Sequence, residues 1–246
     1  MKIKFDTHTH TLASSHAYTT VMENATFAAK IGMDGIAVTD HAPAMVDAPH
    51  DWHFRNLKNI PRELFGQKIL IGTELNLLDR EGNVDLDDEL LSLLDVVNAS
   101  IHEPCYRDRD DDDCTGTYEA IVKNPHIDII CHSGSPKFKY DYEYIIKLAK
   151  EHNKLMEINN HTFFVRKGSI PNCRKIAELC KKHEVGIVVS SDAHFCTDIG
   201  DYSQAVAMLE EIDFPEELVM NTTYEKFEKF MREARGKEPG RWRLEA

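Results

Sequence analysis

The sequence lacks the features of several common protein classes. No two of its six cysteines form a C-x-x-C pair, so nothing indicates a zinc ribbon or a dithiol redox site. No apolar run approaches the roughly 20 residues that a membrane-spanning helix needs, and no early segment has the basic start, apolar stretch and small-residue cleavage site of a signal peptide. We therefore expect a cytoplasmic protein with reduced thiols and without a membrane partner.

Clustered positive charge is also scarce. The chain has 29 lysines and arginines against 42 aspartates and glutamates, which gives a formal net charge of −13. Binding of nucleic acid through a broad basic surface needs clustered cations for the phosphates, so we expect no long nucleic acid as a partner. A small phosphorylated substrate is compatible with this charge, because bound metal cations reverse the local potential inside an acidic protein.

What the chain does have is an alternation of short apolar segments with amphipathic ones. Its 246 residues, 42% of them hydrophobic, are enough for one large core, so residues 1–246 are expected to form one domain. Strands followed by helices build a parallel sheet, and seven such units predict an α/β protein with a (β/α)7 barrel. The predicted strands cover residues 3–5, 35–38, 68–71, 96–100, 127–131, 155–158 and 186–189, and the predicted helices cover 21–31, 118–122, 142–152, 173–182, 203–211 and 224–233.

Histidines and carboxylates recur at the ends of these predicted strands. His8 and His10 follow the first one, and residues i and i+2 of an extended segment point the same way, so both imidazoles can reach one metal ion. Barrels of this kind place their chemistry at the carboxyl ends of the strands, whereas random histidines would also occur on helices and at strand starts. The pattern therefore predicts a metal centre. Its other members are His41, Glu74, His102, His132, Asp192 and His194.

Three neighbours of these residues have a predicted orientation. Asp6 and Asp40 are expected to orient an imidazole through its second nitrogen, and capping of a loop is the alternative. Cys131 directly precedes His132 on a predicted strand, so its thiol is expected to face the opposite side and not to bind metal.

Several short motifs around these residues form a set. They are His8-Thr9-His10, His16-Ala17-Tyr18, Thr39-Asp40-His41, residues 47–54, Glu74, His102-Glu103-Pro104, His132, residues 157–160 and Ser191-Asp192-Ala193-His194. This set closely resembles the PHP superfamily, named for polymerase and histidinol phosphatase, and in particular its compact trizinc phosphatase branch, the YcdX-type proteins. The resemblance covers nearly the full chain and implies a distorted, TIM-like (β/α)7 barrel with three divalent metals in its mouth.

Residue by residue, the resemblance implies three metal sites. Glu74 is expected to bridge the first two, and Glu74, Asp192 and His194 are the expected catalytic residues. Imidazole and carboxylate ligands suit zinc, manganese or iron, and we expect zinc, which lowers the pKa of bound water to about 7 without redox chemistry. The first site consists of His8, His10, Glu74 and Asp192, the second of Glu74, His102 and His132, and the third of His16, His41 and His194.

Four residues are predicted to bind the substrate. Trp52 and His53 lie in residues 50–54, a predicted lid that excludes water, with ordinary packing of an aromatic loop as the alternative. Arg166 and Lys137 are candidates for binding phosphate, with a solvated surface position as the alternative. The acidic run 108–113 lacks the glycine and terminal glutamate of a calcium loop and is predicted to be solvated, and the tail after about residue 232 is predicted to be loosely ordered or an oligomer contact.

The resemblance and the predicted centre together indicate a metal-dependent phosphoric monoester hydrolase. We expect it to act on small-molecule phosphate esters, with a hydroxide that bridges two metals as the nucleophile. Three alternatives stay open, namely a histidinol phosphatase, a nucleotide or oligonucleotide phosphoesterase, and a non-catalytic metal-stabilised module. Whether the chain forms a homo-oligomer is also left open.

Overall fold

Seven of the eight strands in the described residues form a parallel sheet that is nearly closed into a barrel. The computed structural model describes residues 1–108, 113–237 and 239. The strands are β1 (Phe5–Thr9), β2 (Gly35–Val38), β3 (Glu63–Leu64), β4 (Gln67–Asn76), β5 (Val96–Ser100), β6 (Ile129–Ile130), β7 (Leu155–Asn159) and β8 (Ile187–Ser190). Seven of them are parallel in the order β1-β2-β4-β5-β6-β7-β8, and β3 pairs antiparallel with β4. The predicted distorted (β/α)7 barrel is therefore confirmed.

Helices follow most of the strands, and several of them begin or end at capping residues. Thr20 and Glu23 form a capping box at the start of the first helix, and Gly236, with φ +64°, ends the last one in the left-handed region. The α-helices of the described residues are α1 (Val21–Lys30), α2 (Asp51–Asn56), α3 (Asp88–Leu91), α4 (Thr115–Lys123), α5 (Tyr142–Glu151), α6 (Thr162–Val165), α7 (Ile170–His183), α8 (Ser203–Glu211) and α9 (Tyr224–Arg235). No helix among these residues is long and apolar enough to span a membrane.

The seam between β1 and β8 is held by few contacts. Thr9 and Ala193 form an isolated parallel bridge, and the N–H of His10 donates to the carbonyl of Ala193 at 2.9 Å. Further down the seam, the Asn221 amide donates to the carbonyls of Phe5 at 2.8 Å and Val189 at 2.6 Å. One side chain thus satisfies backbone groups of both edge strands, which would otherwise be buried without partners.

Helix α9 seals the amino end of the barrel. The interior of the barrel at this end is filled by apolar side chains from every parallel strand or its end, and three α9 residues pack against them. Phe5 stacks on Phe227 with ring centroids 5.2 Å apart. The opposite, carboxyl end therefore provides the mouth of the barrel. The interior residues are Phe5, Ala37, Leu70, Val96, Ile129, Cys131, Leu155 and Val188, and the α9 residues are Tyr224, Phe227 and Met231.

Two strands extend further than the sequence predicts. The first continues past Phe5 to Thr9, so His8 lies within it. Strand β4 continues past Ile71 to Asn76 because it pairs with β2 through its first half and with β5 through its second. At the changeover, a Cβ on Gly72 would lie 2.2 Å from the carbonyl oxygen of Val96, so only glycine allows this close approach. The apolar pattern underestimated the length of these strands because most of their last residues have polar side chains, which are buried in the barrel mouth.

The structure describes the start of the segment after residue 232, as far as Lys237, and the prediction that this tail is loosely ordered or an oligomer contact stays a prediction. Arg235 and Lys237 both bind the buried carboxylate of Asp128, at 3.0 and 2.6 Å. Burial of this carboxylate is tolerable because two cations and a backbone N–H satisfy it. Residue 238 and residues 240–246 lie outside the described residues, as do residues 109–112 of the acidic run.

Candidate metal centre

The predicted ligands lie at the carboxyl end of the barrel. His8 and Glu74 are on β1 and β4, and His16 is in the longer loop between β1 and α1. Their convergence follows from the parallel topology, which brings the same end of every strand to one mouth. The remaining predicted ligands lie within four residues after a strand end and are His10, His41, His102, His132, Asp192 and His194.

Glu74 is at the centre of the cluster, and its two oxygens face different groups of imidazoles. Its Oε1 lies 2.8 Å from His132 Nε2 and 3.3 Å from His102 Nε2. Its Oε2 lies 3.3 Å from His8 Nε2 and 3.5 Å from His10 Nε2. The carboxylate therefore lies between the two groups that the family resemblance implies for the first and second metals.

His8, His10 and Asp192 surround the first of these positions. The Nε2 atoms of His8 and His10 are 3.1 Å apart, and Asp192 Oδ1 lies 3.2 Å from His10 Nε2 and 3.6 Å from His8 Nε2. Two ring nitrogens and a carboxylate oxygen thus point at one another with no apolar group between them.

A stack of imidazoles forms the third group. The His10 ring lies 4.4 Å from the rings of both His41 and His194, measured between centroids, and their ligand atoms lie within 4.8 Å of one another. The His16 ring is 5.0 Å from His41 and 4.7 Å from His194. Its Nδ1 is 2.6 Å from a carboxylate oxygen of Asp47, which orients the ring.

The donor atoms fit divalent cations. His41 Nδ1 and Glu74 Oε2 are 2.9 Å apart but not aligned for a hydrogen bond, and both are buried polar atoms without a hydrogen-bond partner. Leaving such atoms unpaired is costly, and a cation between them would satisfy both. A set of imidazoles and carboxylates is suited to zinc, manganese or iron.

Some pKa values of the cluster favour the metal-binding forms and others do not: burial tends to lower the pKa of His8 and His41, but the carboxylates around them outweigh it and raise both above the usual value. Burial and the nearby charge of His41 lower the pKa of His10 to about 3, and burial lowers the pKa of His102 to about 4, so both rings are neutral at pH 7. Burial tends to raise the pKa of Glu74, but the imidazoles of His102, His8 and His41 outweigh it and hold that pKa well below its usual value. Neutral imidazole and ionised carboxylate are the forms that bind metal.

The sequence of residues 6–236 matches the PHP domain. The chain belongs to the PHP domain family. A probable phosphatase of Acetivibrio thermocellus is 45% identical to it over 232 residues, which cover 94% of this chain and 96% of the relative. A probable phosphatase of Clostridium novyi is also 45% identical, over 227 residues that cover 92% of this chain and 93% of the relative.

The fold of this PHP domain is also that of a solved phosphatase. A crystal structure of histidinol phosphate phosphatase from Lactococcus lactis subsp. lactis, complexed with zinc, L-histidinol and phosphate, superposes with a TM-score of 0.56. The alignment covers 87% of this chain and 95% of that protein, at 16% sequence identity. At this identity the likeness establishes the shared fold.

Glu157 contacts the candidate ligand His8 but has no separate role in the predicted centre. Its carboxylate contacts His8 Nδ1 at 2.7 Å, and it accepts hydrogen bonds from the backbone N–H of His132 at 2.7 Å and the hydroxyl of Ser190 at 2.5 Å. It thereby turns His8 Nε2 towards Glu74. Alternate residues of a strand point to the same side, so Glu157 lies on the same face of β7 as Asn159 at its carboxyl end. This alternation is the sequence signal that could have placed Glu157 in the site.

Asp6 has the loop-capping role that was the alternative, whereas Asp40 partly has the orienting role. Asp6 accepts hydrogen bonds from the backbone N–H of His8 and from the hydroxyls of Ser191 and Tyr202, so it joins β1 to the loop after β8 and does not orient an imidazole. Asp40 accepts a hydrogen bond from the Ser14 hydroxyl at 2.8 Å, and the Ser14 hydroxyl oxygen lies 3.4 Å from His10 Nδ1. Asp40 therefore acts on His10 through Ser14.

Cys131 does not face away from the site as predicted. Its sulfur lies within 4.8 Å of the ligand atoms of His8 and Glu157. Cys131 continues the alternation of β6 on the interior side of Ile129, and His132 is the residue that departs from it, with a φ of +26° in the left-handed region. Burial, reinforced by the charge of Glu157, raises the pKa of the Cys131 thiol well above its usual value, so the sulfur is protonated and a poor ligand.

Arg166 and Lys137, two of the four predicted substrate residues, lie beside the cluster. The Arg166 guanidinium is 3.3 Å from Asp192 Oδ2, and Lys137 Nζ is 2.6 Å from a carboxylate oxygen of Glu103. Both residues line a cleft of about 400 Å³ that also includes His102. They are therefore placed to meet a molecule bound at the mouth.

Trp52 and His53 lie on helix α2, where the sequence predicted a loop-like lid. The helix forms because the His50 side chain accepts a hydrogen bond from the N–H of Trp52 and caps its first turn. His53 Nε2 lies 3.6 Å from Asp40 Oδ2, at the edge of the site, whereas the Trp52 side chain is 74% exposed. His53 is thus close to the centre, and Trp52 presents its ring to solvent.

Proposed function

We propose that this protein hydrolyses small phosphate monoesters with divalent metal ions bound at the barrel mouth. It is a phosphatase of the PHP family. The position of Glu74 supports the metal-dependent mechanism most directly, because its two oxygens contact two separate groups of imidazoles. A carboxylate in this position can bridge two cations.

The residues that would hold the metals form three sets around Glu74. When bound, the cations would supply activated water and would neutralise negative charge on the phosphoryl oxygens. We propose zinc, with manganese or iron able to use the same donors. The first set is His8, His10, Glu74 and Asp192, the second is Glu74, His102 and His132, and the third is His16, His41 and His194.

The chain itself contributes orientation and charge to the reaction. Glu157 fixes the His8 ring through Nδ1, and the Ser100 hydroxyl donates a hydrogen bond to Glu74 Oε1 at 2.8 Å. The two metal ligands His8 and Glu74 are therefore held in position before a metal binds. Arg166, next to Asp192, provides a guanidinium that can bind two phosphoryl oxygens at once. Because this charge is fixed in place before the substrate arrives, it costs no reorganisation as negative charge develops on the phosphoryl group.

A histidinol phosphatase is the second candidate function. It is supported by the shared fold with the Lactococcus lactis enzyme, whose structure contains L-histidinol and phosphate. Both candidates require the same chemistry at phosphorus and differ in the group that leaves. We therefore propose a small-molecule phosphate ester as the substrate, and the preference for its leaving group is what an experiment has to measure.

The test combines metal analysis with a substrate panel. Protein purified without chelator should contain close to three divalent metals per chain, and it should hydrolyse p-nitrophenyl phosphate faster than bis(p-nitrophenyl) phosphate. Chelator should abolish turnover and lower the Tm, because ligands that bind only the folded state stabilise it. Histidinol phosphate in the same panel distinguishes the second candidate. One metal or none, or monoester turnover that persists in chelator, would contradict the proposal.

A further inference from the structure

A cleft at the barrel mouth adjoins the metal centre on the side of His102 and His132. It has a volume of about 400 Å³, in the range of sites for small molecules. We call it the cationic cleft and define it by three positively charged side chains and one carboxylate, together with an apolar wall. The charged residues are Lys137, Arg166, Lys167 and Glu103, and the wall consists of Ile101, Phe138 and Val165.

The charge of this cleft is opposite to that of the protein. The whole chain carries a formal net charge of −13, yet three cations and one carboxylate line this cleft, and Asp192 beside Arg166 leaves the region with an excess of positive charge. Concentrating positive charge in one concave region of an acidic protein attracts anions to that region in preference to the rest of the surface. Lys137 is paired with Glu103 at 2.6 Å, and this pairing holds its ammonium group at the cleft.

The three cations lie at different depths. The Arg166 side chain is 31% exposed, and its guanidinium lies 3.3 Å from Asp192 of the metal centre. The Lys137 side chain is 64% exposed and Lys167 is also exposed, so these two residues form the outer part of the cleft. A phosphoryl group at the metals would therefore engage Arg166 and leave the two lysines for another part of the substrate.

We infer that the preferred substrate carries a second anionic group, a carboxylate or a second phosphoryl group, on the part that leaves. This inference rests on the proposed phosphatase function. The second anion binds Lys137 and Lys167, while the short carbon chain between the two anions lies along Phe138 and Val165. A cationic leaving group, such as that of histidinol phosphate, meets repulsion in the same place.

Three-carbon phosphate esters provide a matched test of this inference. The measurement is kcat/KM of the metal-loaded protein for 3-phosphoglycerate, glycerol 3-phosphate and 3-aminopropyl phosphate, whose leaving groups are anionic, neutral and cationic. We expect 3-phosphoglycerate to exceed glycerol 3-phosphate by about tenfold, with the cationic ester lowest. Lys137→Met and Lys167→Met should each reduce that ratio several-fold. Lys139→Met is the matched control, because Lys139 is exposed but does not line the cleft.

The outcomes separate the inference from the proposed function. Equal kcat/KM values for the three esters, or a ratio unchanged by both lysine substitutions, would overturn the inference and leave the phosphatase function standing. Failure to hydrolyse any of the three esters or p-nitrophenyl phosphate would overturn the proposed function and the inference with it. Adding glycerol bisphosphate to the panel shows whether the preferred second anionic group is a phosphoryl group or a carboxylate, as in 3-phosphoglycerate.

Discussion

Replacing Glu74 with glutamine removes one negative charge from the centre of the site and leaves its shape unchanged. The amide oxygen can still accept the hydroxyl of Ser100, and the amide nitrogen can donate to His41 Nδ1, which has no hydrogen-bond partner in the native protein. The metal-free variant should therefore keep the native fold, although at pH 7 it lacks the stabilisation that the ionised Glu74 gains from the imidazoles that lower its pKa. The substitution also changes the affinity for cations at the two sites that share this carboxylate.

The size of the effect follows from the number of sites involved. Loss of an outer partner of a metal ligand costs about 10–100-fold in affinity, so loss of a shared ligand should cost at least about 100-fold at each site. This factor corresponds to about 2.7 kcal/mol of metal-dependent stabilisation per site. For a chain of this length, about 1 kcal/mol shifts the Tm by about 2–4 °C, so Glu74→Gln should lose roughly 5–10 °C of the metal-induced Tm increase per site. Turnover should fall by about 10²–10³-fold or more.

The assay is thermal unfolding in chelator and in saturating zinc, with p-nitrophenyl phosphate hydrolysis measured on the same samples. Glu178→Gln is the matched control, since this exposed glutamate on α7 makes the same chemical change away from the mouth. A Glu74→Gln protein with wild-type turnover and a wild-type zinc-induced rise in Tm would refute the bridging assignment. A loss of Tm in chelator as large as the loss in zinc would show instead that Glu74 acts on the fold and not on metal binding.

Three further predictions concern pH and packing. Activity of the metal-loaded protein should rise with pH through an apparent pKa near or somewhat above 7, and a pH–rate profile should show that Asp192→Asn and His194→Ala each abolish this rise. In chelator, stability should be lost as pH falls from about 6.5 towards 4, because the pKa of His102 is about 4 in the folded state and the unfolded chain takes up its proton first. The Tm of His102→Asn should therefore depend less steeply on pH over this window, and an unchanged slope would contradict the assignment. Phe227→Ala should cost about 3–5 kcal/mol in urea unfolding by opening a cavity at the sealed end of the barrel, while the metal content per folded chain stays the same.

The sequence by itself determined the barrel and most of the candidate ligand set. Apolar runs and the spacing of His8 and His10 can be read from neighbouring residues alone. In a parallel barrel, the position of a residue along its strand also determines whether it lies at the amino or the carboxyl end of the barrel. For this reason residues as distant in the chain as His8 and Asp192 could be grouped before any contact was known. Strand ends were underestimated where the last residues are polar, as in β1 and β4, because period and hydropathy do not reveal polar side chains buried in a barrel mouth.

Only the tertiary structure decided how these groups face one another. Glu157 reaches His8 across 149 positions of sequence, and Arg166 comes within 3.3 Å of Asp192 only because adjacent strands β7 and β8 place their following loops side by side. His132 reaches the site on the same side as Cys131 because its backbone leaves the extended region, which no side-chain pattern encodes. Such contacts depend on three-dimensional packing between distant segments, and the orientation of a side chain within a few ångströms is set by that packing rather than by the residues next to it.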